Sequence, residues 1–287
     1  LRIEPTVNSA IHNSQPVKWY QKNTIGENVT GNLFIKDAAI IAAGNPENNL
    51  GGFQNNILVE VGNELTISGP MTTFIVVEHI FNFPTTNSNL DVEVLCQKLQ
   101  VNNTAVFIIA KNNHQNKDIF GNLFFEASNG TVLNDGLFYA ATSNSGRKAG
   151  NSLSISSDID LFSSARFIGV TNSHVDFQMH DAKINLFHGT EFYGNLTSTH
   201  PSAGLVNMTN IDLSISGGAF YGAFAGTGNV NLGFGSLDLF DGASPSVFKG
   251  ISSTDGVDLF GSLTISMDHL NVSAPSSFFE FMGPKAH

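Results

Sequence analysis

The sequence predicts an all-β chain wound as a right-handed parallel β-helix, with three short strands per coil and 25–33 residues from coil to coil. Three observations predict it. Apolar and polar residues alternate in pieces only a few residues long, which is the period of a strand and too short for one face of a helix. The pieces recur in groups of three, and in five groups a Phe follows that stands two residues before a Gly. Charged residues make up only 13% of the chain, about half the usual share, and Asn, Ser, Thr and Gly take their place.

The units are clearest in the second half. "FIG" at Phe167, "FYG" at Phe192, "FYG" at Phe220, "FKG" at Phe248 and "FMG" at Phe281 recur at intervals of 25, 28, 28 and 33 residues. Each follows an apolar-x-apolar piece: Ile159-Asp160-Leu161, Ile184-Asn185-Leu186, Ile211-Asp212-Leu213, Leu237-Asp238-Leu239 and Leu270-Asn271-Val272. A further piece precedes that one, at Leu153, Val175, Leu205, Val230 and Leu263. Upstream, "LTISGPMTTFIVV" from Leu65, "LQVNNTAVFII" from Leu99 and "GTVLNDGLFYAA" from Gly130 repeat the unit without the Gly, with Phe74, Phe107 and Phe138 in the Phe position. Eight copies therefore span about residues 60 to 283. Residues 1–55 match the unit poorly and are expected to cap one end or form irregular first coils, leaving the β-helix repeats over 56–287.

A strand of three to five residues cannot bury an apolar face alone. Stacking like on like every coil, about 4.8 Å apart, lines inward Leu, Ile, Val and Phe into continuous ladders. The same stacking accounts for the low charge, because an outward residue sits above its counterpart and like charges in that position repel. A barrel or sandwich ranks second: hairpin signals occur only at Asn129, Asp135, Asp241 and Asp255, not at every second strand.

Composition narrows the function. With 13 basic against 24 acidic residues the net charge is -11, which argues against nucleic acid and anionic lipid as partners. The single Cys96 shares the alternation parity of Val92 and Val94, so it reads as a buried small apolar side chain and forms no internal disulfide. No apolar run is long enough to span a membrane as a helix. A chain that opens at Leu1 without a charged leader and apolar core reads as a mature product or a fragment.

These strand-strand-strand units, rich in Asn, Ser, Thr and Gly, resemble the passenger domains of bacterial autotransporters. "SGRKAGNSLSISS" from Ser145 is similar to segments of vacuolating-toxin-like passengers. "FQNN" from Phe53, "FYGN" from Phe192 and "GGAF" from Gly217 are similar to motifs of chlamydial polymorphic membrane proteins, although G-G-A occurs only once. The resemblance covers about residues 60–283 and implies an extracellular or cell-surface adhesin or virulence factor, with the outer-membrane barrel absent from this sequence. Its expected partners are a host-cell receptor or glycan, or a second copy of itself between cells.

β-Helices also resemble polysaccharide-degrading enzymes, which need paired carboxylates about 5 to 9.5 Å apart, or carboxylates with a divalent ion and a basic residue. The middle slot of the second strand is expected to align Asp160, Asn185, Asp212, Asp238 and Asn271 in one outward ladder, with Asp212 and Asp238 about 5 Å apart. The plain alternative is a polar slot filled by short hydrophilic residues, and its two Asn favour that. Asp212 and Asp238 are therefore catalytic candidates only under the hydrolase reading. A toxin subunit or a structural spacer stays open as well.

No His-Glu-x-x-His, Cys/His cluster, nucleophile elbow or Walker loop is present, so no metal or cofactor is expected. Six Asn-x-Ser/Thr sequons, at Asn28, Asn102, Asn129, Asn195, Asn207 and Asn271, are attributed to the composition. Ligand-binding candidates are Trp19 and Tyr20, as a sugar platform or a cap, and Asn112, His114 and Asn116 in "NNHQNKD". That stretch and "FNFPTTNSN" at Phe81–Asn89 are the longest interruptions, and insertions on a solenoid lie on its surface.

Overall fold

The computed structural model describes residues 8–12, 25–29, 31–36, 39–44, 56–79, 86–200, 203–225, 228–240, 242–252, 261–273 and 277–282. Trp19, Tyr20 and Phe53, and the first part of the Phe81–Asn89 stretch, lie outside them.

Among the described residues two large parallel sheets make up the solenoid, with a third of two strands at one corner. The first stacks eight long strands, Ile57–Ser68, Val92–Asn102, Asn122–Asn134, Ser152–Phe162, Asp176–Leu186, Val206–Ser216, Val230–Phe240 and Leu263–Val272. The second stacks the short strands that follow each of them, Thr73–His79, Val106–Asn112, Leu137–Ser143, Arg166–Thr171, Glu191–Leu196, Ala219–Phe224, Val247–Ser252 and Phe278–Met282. A long strand and its short strand form one rung, and every ladder pairing among the described residues is parallel, as a β-helix requires.

The strands before residue 56 enter the same sheets. Ile25–Val29 and Asn32–Lys36 pair with the two halves of Ile57–Ser68, Ala39–Gly44 pairs with Thr73–His79, and Asn8–His12 pairs with Asn32–Lys36.

The three strands expected per coil reduce to two. The first two pieces run on as one strand, bent where the register shifts, for example between Ile155 and Ile159. Left-handed residues sit at such bends, Gly130 at φ 94°, Asp181 at 51° and Asn210 at 55°, positions that Gly, Asp and Asn tolerate best. The sequence reads these bends as gaps because alternation breaks there, as in Ser156-Ser157-Asp158.

The core is one continuous column of apolar ladders. Phe74, Phe107, Phe138, Phe167, Phe192, Phe220, Phe248 and Phe279 are successive register partners on the short sheet. From Phe138 to Phe279 their rings stack nearly parallel at 4.6 to 5.4 Å. Aromatic pairs at that spacing add about 0.5–1.5 kcal/mol each beyond area burial. The last member is Phe279, not Phe281 as the Phe-x-Gly spacing suggested. Both residues share a parity, and the neighbouring rung selects the one that stacks.

The Gly two residues after the Phe marks a kink at which two successive residues face inward, as Gly169 and Val170 do. A Cβ on Gly194 would come within 2.6 Å of the Gly222 carbonyl oxygen and 2.9 Å of Val206, and Gly169 and Gly222 are similarly crowded. Val76, Ile109 and Ala140 occupy the position that the ladder pairing skips in their rungs, with a side chain present.

Outward charges obey the stacking rule. Where both register partners among the described residues are Asp, Glu, Lys or Arg, the signs are opposite: Glu64 with Lys98, Glu78 with Lys111, Arg166 with Glu191, Lys183 with Asp212 and Lys249 with Glu280. At the start of several long strands a short polar side chain accepts a backbone N–H from the next rung. Asp91 Oδ1 takes Asn122 N at 2.8 Å, Asp176 Oδ1 takes Leu205 N at 2.8 Å, and Asn229 Oδ1 takes Ser262 N at 3.1 Å.

Candidate functional site

A groove of about 550 Å³ opens on the outer face of the short sheet. Its floor follows from period two: the residue after each ladder Phe points outward, which places Ile108, Tyr139, Ile168 and Tyr193 in successive rungs. Ile108 and Ile168 are buried between their neighbours, while the two tyrosines are half-buried. The Tyr193 ring stacks on Tyr221 at 4.8 Å and 7°, so one ring face is covered. Burial raises the Tyr139 phenol above its ordinary range, with Arg166 acting against it. For Tyr193 burial again leads, and Glu191 adds to the rise both by charge and by a side-chain hydrogen bond.

One wall carries Arg166 and Glu191, whose Nε and Oε2 lie 2.6 Å apart. The other carries Lys111, Thr142, Thr171 and Leu196. Lys111 Nζ is held 3.2 Å from Glu78 Oε1, which also accepts from Asn113 Nδ2 at 2.6 Å. At the far side, Asn172 at φ 52° accepts with Oδ1 from the backbone N–H groups of Ser198 at 2.8 Å and Thr199 at 3.0 Å. It thereby fixes the turn that puts Ser198 on the rim. Asn144 borders the groove and donates to Asn113 Oδ1 at 2.6 Å.

The two long interruptions meet at one corner beside this groove. Ser88–Asn89 pairs with Ile119–Phe120, and Asp118 N donates to Asn87 Oδ1 at 3.0 Å. Asn112 is buried and spends its amide on the corner itself, donating to the carbonyls of Lys117 and Lys148 at 2.8 and 2.7 Å and accepting from His114 N at 2.9 Å. His114 is buried and accepts from Asn116 N at 3.0 Å, and only Asn116 of the three is exposed. His79, fully buried beneath them, shares a 2.5 Å hydrogen bond with Ser88. Burial, and after it the nearby His114, push its imidazole down from 6.5 to about 3.

The expected aspartate ladder is shifted. Asp160, Asn185, Ser214, Asp238 and Asn271 share one column, whereas Asp212 stands between Lys183 and Ser236 in the next. Ile211-Asp212-Leu213-Ser214-Ile215 alternates over five residues, so either register keeps Leu and Ile inward, and the pairing of Val206 with Val230 in the first half of the strand carries through to Asp212 with Ser236. Asp212 and Asp238 are thus diagonal neighbours, which in a sheet lie about 7–8 Å apart, and Asp212 accepts from Ser236 Oγ at 3.1 Å. Among the described residues no three His, Cys, Asp or Glu side chains cluster as a metal site would need.

Cys96 is buried, donates to the Glu126 carbonyl, and has its thiol pushed up to about 12 by burial and then by Glu126. Asn195 is buried within its sequon, which closes it to glycosylation in the folded chain. The groove residues were missed from the sequence. The usable signal was the aromatic or aliphatic residue after each Phe, read there only as part of a strand. Comparison with protein-family models, curated proteins and solved structures finds no match to this chain.

Proposed function

We propose that this chain is the binding passenger of a secreted or cell-surface protein of the autotransporter type, an adhesin that holds an elongated ligand of a host or neighbouring cell in the short-sheet groove. The observation that carries the reading is the groove itself: a half-buried tyrosine floor bordered by the close Arg166–Glu191 pair, open to solvent and built across four successive rungs. A concave site lined by apolar floor residues and a few convergent polar groups is the usual form of a ligand site. The low charge and Asn/Ser/Thr-rich surface support an extracellular setting. The diagonal placement of Asp212 and Asp238 removes the retaining pair expected at about 5 Å, and a hydrolase built on them would have the wider spacing of an inverting enzyme.

The test is saturable binding of the purified chain to cultured cells, scored at the same time for release of reducing sugar. The double variant Arg166→Ala with Asn144→Ala is expected to lose binding while Asn116→Ala, at the corner, retains it. Sugar release, or binding by the groove variant equal to that of the parent, would overturn the proposal.

A further inference from the structure

We infer that the groove recognises an uncharged hexose oligosaccharide lying along the solenoid axis, held by hydrogen bonds to the Arg166–Glu191 pair, the tyrosine hydroxyls and the rim residues Asn144 and Ser198. This rests on the groove being the ligand site.

The charge pattern selects against an acidic ligand. Both groove cations already face a carboxylate, Arg166 that of Glu191 at 2.6 Å and Lys111 that of Glu78 at 3.2 Å. An anion would meet cations whose charge is already offset by these carboxylates, while approaching a chain of net charge -11. A neutral polyol meets neither the offset charge nor the long-range repulsion, and uses the guanidinium donors that Glu191 leaves open.

The polar groups match a sugar in kind. A ring diol offers both donors and acceptors at each hydroxyl. The guanidinium of Arg166 only donates and the Glu191 carboxylate only accepts, while the Tyr139 and Ser198 hydroxyls and the Asn144 amide do both. A guanidinium beside a carboxylate can therefore bracket two vicinal hydroxyls, with charge-assisted hydrogen bonds that are shorter and stronger than neutral ones. The Tyr193 face covered by Tyr221 turns the floor toward hydrogen bonding and edge contact.

The groove also has the right reach. Its lining comes from four consecutive rungs, Val106–Asn112 to Glu191–Leu196 with the turn that follows. Three rung steps span about 14 Å, which suits a short oligosaccharide laid along the column.

The experiment is an array of neutral oligosaccharides beside sialylated and uronic ones, probed with the full chain and with Arg166→Ala and Glu191→Gln, whose folding is checked by circular-dichroism melting. Retained affinity for neutral members, reduced roughly tenfold or more by either substitution, is expected from the loss of a charge-assisted hydrogen bond. Preference for acidic members, or no neutral glycan bound while the groove variant abolishes cell binding, would overturn the sugar class and leave the groove standing. Cell binding unaffected by the groove substitutions, or no binding to cells or array, would overturn both.

Discussion

Gly194 and Gly222 stand in adjacent rungs so close that a Cβ on the first would lie 2.6 Å from the carbonyl oxygen of the second. The contact is with backbone, which cannot rotate away. It explains why Gly occupies this slot in four successive rungs, Gly169, Gly194, Gly222 and Gly250, and it makes a direct prediction. Gly194→Val is expected to destabilise the solenoid by about 3 kcal/mol or more, the upper range for overpacking. Gly233→Ala, whose Cβ would meet nothing closer than 3.4 Å, is expected to change stability by less than about 1 kcal/mol. Denaturant midpoints of the two variants check this, and equal midpoints would refute the steric account.

The Phe ladder predicts a large and position-dependent cost of truncation. Phe192→Ala, between Phe167 at 4.8 Å and Phe220 at 5.2 Å, removes a fully buried ring from the middle of the column. A loss of about 3–5 kcal/mol is expected. Phe281→Ala, about half exposed, is expected to cost far less. Thermal unfolding followed by circular dichroism separates them.

Two ion pairs are expected to contribute unequally, and the shorter is the weaker. Glu78 is buried and also holds Asn113, so Glu78→Ala leaves a donor unpaired and is expected to cost about 1–3 kcal/mol. The Arg166 side chain is 54% exposed, and Arg166→Ala is expected to change stability by about 1 kcal/mol or less. Chemical denaturation of both variants decides the order, and that order is what allows Arg166 to be varied in binding assays without loss of fold.

His79 predicts an acid-sensitive stability. The folded state keeps this imidazole neutral down to about 3, whereas an unfolded chain protonates it near 6.5. Between those values the unfolded state binds more protons, so the contribution is fully present above about pH 6.5 and is progressively lost as the pH falls toward 3. His79→Gln is expected to flatten the pH dependence of the denaturant midpoint between about pH 7 and 4. An unchanged slope would exclude His79 as a source of it.

The thiol of Cys96 is expected to resist a disulfide reagent in the native chain and to react fully once unfolded, because the thiolate is the reactive species and burial suppresses it. Absorbance of the released thiolate, measured with and without denaturant, reports the difference.

By itself the sequence determined the coil, its length, the inward apolar parity and the restriction on outward charge. Each is a local consequence of period-two alternation repeated at nearly constant intervals, and Phe167, Phe192, Phe220 and Phe248 stack as that repetition requires. Alternation cannot tell a register from one shifted by two residues, because both keep the same faces inward. Only the tertiary structure decided that Phe279 joins the ladder in place of Phe281, and that Ser214 joins the column of Asp238 in place of Asp212. The groove was undecided for the same reason. It depends on which outward residues of four rungs, far apart in the chain, come into line, and that is settled by the packing of neighbouring rungs and the lengths of the loops between them.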